Sequence, residues 1–451
     1  MTTVDGEPTG ATGGLRSGAT RRTVLAGAAG LGIAAVGGVT GRVRAATDGV
    51  YYVAPWGRDG ADGTVQRPFR TLAPVAHGGR QEAPDGATIR FHRGTYDWDD
   101  SDPFSRQDGL TFEPFGGRVV IDGRSNEGDY TSSGMLQLFR CDDATVRDVE
   151  VRRAPGPGVR IVRSARPLVE RVIAHHCGNA GVAYDEVTDG VVRGCEVSGN
   201  YSPDAPVDGG AADGVSYTGK GRGRSVGGVV EDSLIHHNSD DGIDLFRARG
   251  VTVRHNRVWA NGYDESGEPI GEAAGKGIKL GSPRDRRTGG HLVHHNLAWF
   301  NGGAGIGWNG AELPVRLYNN TAFGNERKTD LKESIDGDDI ECYGAHPDSR
   351  VVNNAALRVS SSIARVDRRR VRANAWQLGA DRLADLGFAD GRTDNAGNPV
   401  TEAFAALRRD SALLHAGEDV GLAFEGARPH VGARGLPESG EDVDGNDGSD
   451  G

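Results

Sequence analysis

Four aspartates and one lysine carry the types and spacing in this chain from which chemistry can be argued. Asp213 stands in ADGVSY, Asp240, Asp241 and Asp244 stand in NSDDGIDLF, and Lys279 stands in GKGIKLG. Lysine is scarce, at five of the 52 basic residues, so Lys276 and Lys279 together in one short string are a concentration. Four carboxylates brought together repel unless one is protonated or a cation sits among them. An all-oxygen donor set without His or Cys suits a hard ion, and Ca2+ accepts irregular oxygen geometry more readily than Mg2+. A dication beside Lys279 would disfavour its ammonium form and leave a neutral amine available as a base. Two plainer readings compete with this one: an Asp-rich turn on a solvated surface, and a simple surface ion pair between Lys279 and Asp244.

The elements that must position these residues come from a repeat. Runs of similar form begin at Leu168, Val191, Val229, Thr252, Leu292 and Arg316. Aligning them on Val169, Val192, Val230, Val253, Val293 and Leu317 gives spacings of 23, 38, 23, 40 and 24 residues. Three residues after each anchor stand Val172, Cys195, Ser233, Asn256, Asn296 and Asn320; eight after stand Cys177, Asn200, Asn238, Asn261, Asn301 and Asn325. A second short strand follows most runs, as GVAYD, GVSYT, GIDLF, GIKLG and GIGWN. A unit of roughly 23 residues cannot bury its own apolar face, so units must stack strand on equivalent strand. The expected fold is all-β, a right-handed parallel β-helix, its hand taken from the bias of parallel crossovers. Asparagines at a fixed turn position then form a hydrogen-bonded ladder.

In that stack, the outward residues of the second strand set run Ala183, Ser216, Asp244, Lys279, Gly307, and the residues before each glycine run Ala180, Asp213, Asp241, Lys276, Ala304. Charge therefore occupies three adjacent coils and is expected to vanish on either side. Asp241 must lie on a turn, since three residues separate it from Asp244 and a regular strand would face them apart. The extra length in the two long coils, about 201–212 and 263–275, is expected at one turn, just before the strands that follow Asp213 and Lys276. Loops inserted on one face of a solenoid wall a cleft.

Composition narrows the class. The chain has 451 residues, 71 of them glycine, about twice the usual share, and a formal net charge of −11. The glycine excess is assigned to tight turns with positive φ. The negative charge argues against a nucleic-acid partner, and no long apolar stretch free of glycine and charge embeds the body in a membrane. Arg21-Arg22, a Gly/Ala-rich apolar segment and Val43-Arg44-Ala45 read in order as a twin-arginine export signal cleaved after Ala45. The acidic segment from Glu438 reads as a disordered tail. The chain divides into 1–45 signal, 46–130 N-terminal capping module and first coils, 131–435 β-helix catalytic domain and 436–451 tail. Cys177 and Cys195 hold ladder positions and read as buried free thiols. The pairs His175-His176, His236-His237 and His294-His295 read as structural, because neighbours in a strand face opposite sides. Trp308 reads as core and Asn309 as facing the cleft.

The strings around the four Asp and Lys279, with NNTAFGN downstream, resemble the family 9 polysaccharide lyases, the β-helical pectate lyases. The segment Tyr51 to Tyr96 looks like the capping module of such helices, and DSALLHAGEDVGLAFEGARPHVGARG looks like their closing segment. The resemblance implies that Asp213, Asp240, Asp241 and Asp244 are calcium ligands and Lys279 is the catalytic base. Departures are Gly307 where a polar residue is expected, and His415 and His430 in place of Asp. The implied activity is that of a secreted, monomeric, Ca2+-dependent lyase cleaving pectate by β-elimination, with Lys276, Asn309 and Ser216 as substrate contacts. A β-helical galacturonan hydrolase, a lyase of another uronic-acid polymer, and a non-catalytic polysaccharide-binding β-helix are the alternatives.

Overall fold

The computed structural model describes residues 49–97, 104–124, 131–201, 210–219, 223–264, 266–270, 273–282, 287–325 and 338–436. The chain divides into two units, Met1–Val43 and Arg44–Gly451, and every described residue belongs to the second. The export signal, the acidic tail from residue 437 and residues 202–209 of the first insertion lie outside the described residues.

Each coil contributes three short strands, as in Leu168–Glu170, Ile173–His175 and Val182–Asp185. Each strand pairs in parallel with its equivalent one coil away, and the anchors align as expected: Val169 with Val192, Val192 with Val230, Val230 with Val253, Val253 with Val293, and Val293 with Leu317. All six anchor side chains are fully buried. The stack is a parallel β-helix. Residues nearer the N-terminus join the same ladder, Val50–Val53 on Thr88–Asp97 and the latter on Thr111–Asp122. The third strands form a nine-stranded parallel sheet of their own, from Phe104–Ser105 to Ile340–Glu341.

Both ladder columns are continuous. Asn200, Asn238, Asn261, Asn301 and Asn325 pass side-chain hydrogen bonds coil to coil at 2.7–2.9 Å, and Asp339 closes the row at 3.0 Å. Asn256, Asn296, Asn320, Asn354 and Asn374 do the same along the other corner at 2.9–3.0 Å. Every ladder amide is buried, so each bond satisfies a group that would otherwise be costly to desolvate. Cys177 and Cys195 hold the early places in these rows as buried free thiols, with burial pushing their pKa up to about 12 and about 11.

The glycine assignment holds at turns such as Gly63, Gly109 and Gly250, whose φ is 73°, 69° and 70°, but it does not cover the ladder corners or the column before the third strand. At the two ladder corners the left-handed residue is mostly not glycine: Arg171, His176, Asp232, His237, His255, His295 and Phe300 all have φ between 50° and 57°. Their side chains leave the coil at a corner, where a β-carbon has room: on Gly194 and Gly199 it would meet nothing nearer than Arg171 Cγ at 3.5 Å and His176 Cε1 at 3.3 Å. Glycine is instead required before the third strand, where φ is ordinary. A Cβ on Gly242 would lie 2.4 Å from Val258 Cγ1, 2.7 Å from the Gly277 carbonyl oxygen and 2.9 Å from the Asn261 amide; Gly214, Gly277 and Gly305 are equally crowded. Close approach to the ladder, not backbone handedness, fixes this glycine column.

The insertions also differ from expectation. Extra chain enters both before the third strand, between Ser198 and Val215 and between Trp259 and Ile278, and after it, between Thr218 and Val229 and between Leu280 and Leu292. The third sheet is therefore flanked on both sides. At the far end, Phe404, Leu407, Leu413 and Val431 pack on outward-facing Trp259, Trp299 and Phe323, so the closing segment covers an outer face of the coils.

Candidate metal and catalytic centre

The outward column of the third sheet reads Gln137, Arg160, Ala183, Ser216, Asp244, Lys279, Gly307, Glu341 by strand register. Lys279 stands one coil above Asp244, as the spacing requires. Asp213, Asp241 and Lys276 precede the crowded glycines and are linked by the backbone bonds Gly214 N to Asp241 O, 2.9 Å, and Gly242 N to Lys276 O, 2.8 Å. Asp241 lies outside the strand Ile243–Leu245, on the turn. That turn brings it beside Asp244 instead of behind the sheet.

One carboxylate oxygen each from Asp213, Asp241 and Asp244 lies within 4.8 Å of the others, and all three residues are buried. Asp241 Oδ1 accepts from the Lys276 backbone N–H at 2.7 Å, and Asp213 Oδ1 accepts from the Asp241 N–H at 3.2 Å. Asp240 stands at the edge, half-buried, with Oδ1 accepting from the Ala274 and Gly275 N–H groups at 2.8 and 3.4 Å. Lys279 Nζ donates to Asp241 Oδ2 at 2.6 Å, lies 3.5 Å from Asp244 Oδ1, and sits 5.5 Å from the centre of the Phe246 ring. Among the described residues, Asp244 Oδ1 is buried with no hydrogen-bond partner. A buried carboxylate oxygen without a hydrogen bond, facing two further carboxylates, fits an oxygen-ligated cation such as Ca2+.

The charges are out of balance. Burial pushes Asp244 up to about 7 against the pull of Lys279, with Asp241 and Asp240 adding to the rise. Burial and the Asp241 charge lift Asp240 to about 6. Asp213 is raised well above the carboxylate range by burial, then by Asp244, Asp240 and Asp241. For Lys279, burial works against the ammonium, but Asp241, Asp244, Asp240 and Asp213 together outweigh it and hold the proton on. Carboxylates alone therefore do not give a neutral amine.

Two expectations about the neighbourhood change. Charge vanishes in the flanking coils, at Ala183 and Gly307, but returns one coil further out: Arg160 lies on the same column, its Nε donating to Asp185 Oδ2 at 2.9 Å, and Glu341 stands beyond Gly307. The string GVRIV before the first aligned run carried the signal for Arg160. Glu341 has no glycine in front of it and breaks the pattern. Lys276 is not free either, since its Nζ is ion-paired with Glu341 across Gly307. A Cβ at Gly307 would fall 2.8 Å from Lys276 Cδ and 3.1 Å from Glu341 Oε2. The polar residue missing at Gly307 thus makes room for a bridge between its neighbours. Ser216 is buried beside Asp244 on the column, Asn309 is half-buried beyond Trp308, and Trp308 is core.

The histidine pairs do not face apart. In each, the second residue is left-handed, which swings both rings outward and brings Nδ1 to Nδ1 at 2.7 Å in His175-His176 and His236-His237 and 2.8 Å in His294-His295.

A three-faced parallel coil with a buried carboxylate and lysine cluster on its third sheet defines the class: a β-helical protein whose charged centre lies on one face. The chain belongs to the Pel9A-like family, whose right-handed β-helix region matches residues 51–346. Among solved structures it is similar to pectate lyase Pel9A, at 22% identity and TM-score 0.67, over 86% of this chain and 96% of that one. It is also similar to a rhamnogalacturonan lyase, at 18% identity and TM-score 0.52, over 80% and 97%, and to a glycoside hydrolase, at 11% and 0.51, over 70% and 95%. No curated protein sequence matches the chain.

Proposed function

We propose that the protein is a secreted, Ca2+-dependent polysaccharide lyase that cleaves pectate by β-elimination. The observation that carries this reading is the register of Asp244 and Lys279 on adjacent coils, inside a cluster where Asp213 and Asp241 complete a buried carboxylate triad. Family membership and the likeness to a pectate lyase support it. Asp213, Asp240, Asp241 and Asp244 would hold the ion, and Lys279 would be the base. A bound divalent ion would offset the carboxylate charge and polarise the uronate carboxylate of the substrate.

Burial works against the Lys279 ammonium and four carboxylates outweigh it, so Lys279 would act as a base where their charge is otherwise compensated. The neutral Nζ then takes the C5 proton, α to the uronate carboxylate. The electron pair forms the C4–C5 double bond, and the C4 glycosidic oxygen leaves, taking up a proton to become a new hydroxyl end. Phe246 beside Nζ shields the amine from water. Ser216 lies on the column where the chain of sugars would run and Asn309 beside it, while the Lys276 charge is taken up by Glu341. The test is to incubate the protein with polygalacturonate, pectin and rhamnogalacturonan, with Ca2+ or with chelator. Ultraviolet absorbance from an unsaturated uronide is expected on polygalacturonate and only with Ca2+. Reducing ends without that absorbance would establish hydrolysis, and calcium-dependent binding without product would establish a binding protein.

A further inference from the structure

We propose that His255, His294 and His295 form a second metal site, for one borderline divalent ion of the zinc, cobalt or nickel class, distinct from the carboxylate cluster. His255 and His295 are left-handed corner residues one coil apart, next to the paired positions Arg254 and His294. Their rings stack at 5.2 Å, and the His294 ring stands nearly perpendicular to both. One ring nitrogen from each of the three lies within 4.8 Å of the others.

The other two histidine pairs show what is particular here. His175 Nε2 meets Glu150 at 3.2 Å, His236 stacks on Trp259 at 4.1 Å, and His237 Nε2 bonds the Ala396 carbonyl at 2.8 Å. Those rings are occupied by the fold. Among the described residues the three rings at the other corner make no side-chain hydrogen bond except the one Nδ1 to Nδ1 contact. Three imidazoles without a carboxylate in the trio select zinc-like ions over calcium. With bonds of about 2.0–2.1 Å, tetrahedral ligand nitrogens stand about 3.3 Å apart. His255 is exposed and can turn to close that gap. Arg254 and Arg316 border His294 and work against a cation, although Arg254 Nε donates at 2.7 Å to Glu231, a carboxylate it shares with Arg193.

The site opens into a cleft of about 420 Å³ whose walls include His255, His295, Asn319, Glu425 and His430. Its outer wall is the closing segment, which Asn319 Nδ2 ties down through the His430 carbonyl at 2.7 Å.

The experiment uses the tag-free full chain at pH 8, where ordinary imidazoles are neutral, with Ca2+ in excess to occupy the carboxylates. Co2+ is titrated and its visible absorption followed, then displaced with Zn2+. One Co2+ per chain is expected, with affinity falling at least tenfold in His255→Ala and in His294→Gln and unchanged in Asp244→Asn. Zn2+ should raise the thermal midpoint of the wild-type chain but not of His255→Ala. Because His255 is exposed, that variant should have the wild-type midpoint without metal. Absence of the Co2+ band, an unchanged band in His255→Ala, or its loss in Asp244→Asn would each overturn the proposal.

Discussion

Asp244→Asn should make the chelated protein more stable at pH 8, although it removes a buried group that lies 3.5 Å from a lysine. The folded pKa of Asp244 is raised to about 7 by burial and then, against Lys279, by Asp241 and Asp240. The unfolded value is near that of an ordinary aspartate, about 3.9. A carboxyl whose pKa is raised by folding contributes stability that is complete below the unfolded value and is lost as pH rises through the folded one. Each unit is worth about 1.4 kcal/mol, so ionising Asp244 costs the ion-free fold up to about 4 kcal/mol between pH 4 and pH 8. Asparagine keeps the shape and has no such loss, while Lys279 retains Asp241 at 2.6 Å. Urea unfolding in chelator should therefore show the variant ahead of wild type by roughly 1–4 kcal/mol at pH 8, with no advantage at pH 4. Ca2+ should reverse the order at pH 8, because a ligand at a thousand times its dissociation constant adds about 4 kcal/mol to the wild-type chain and less to a site short of one ligand. A variant destabilised equally at both pH values in chelator would refute the picture of a cluster held apart by its own charge.

Lys279→Ala should abolish the uronide absorbance, by at least the 10²–10⁴ that general bases are typically worth; near wild-type activity would remove Lys279 as the base. The apparent Ca2+ affinity should weaken as pH falls through about 7 and then about 6, where Asp244 and Asp240 take up protons; calorimetry showing pH-independent binding would contradict those ligands. Asn261→Ala leaves the buried Asn238 backbone N–H without its acceptor and takes one ladder bond each from Asn238 Nδ2 and Asn301 Oδ1, and should cost roughly 1–3 kcal/mol by urea unfolding, whereas an unchanged midpoint would mean the ladder contributes nothing. Gly242→Ala should cost more than Gly250→Ala in the same assay. The first Cβ meets Val258 and a carbonyl oxygen, while the second meets only the strain of φ 70°, about 1 kcal/mol; the reverse order would restore backbone handedness as the reason for the glycine column.

What the sequence disclosed was whatever the stacking makes periodic. Val169 through Leu317 could be aligned because an inward residue must sit on its equivalent in the next coil, and the same register placed Asp244 under Lys279 before any coordinates. What it hid was whatever depends on a corner. A left-handed corner residue points out of the coil and finds a different partner at each place, Asp148 for Arg171, His175 for His176 and Phe323 for Phe300, so these positions carry no common signature, and the alternation of a regular strand fails for adjacent histidines that the corner turns together. The Lys276 to Glu341 bridge was hidden for another reason. Its partners are separated by a whole coil, and the residue between them, Gly307, is informative through the side chain it lacks. This bridge also sorts the two lysines of GKGIKLG. Lys276 crosses Gly307 to a carboxylate above and is neutralised there, whereas Lys279 turns to Asp241 and Asp244 below. Among the described residues the carboxylate cluster therefore meets a single lysine, and one ammonium does not balance four carboxylates, so the charge that a bound divalent ion would offset is left by the partner that Lys276 takes elsewhere.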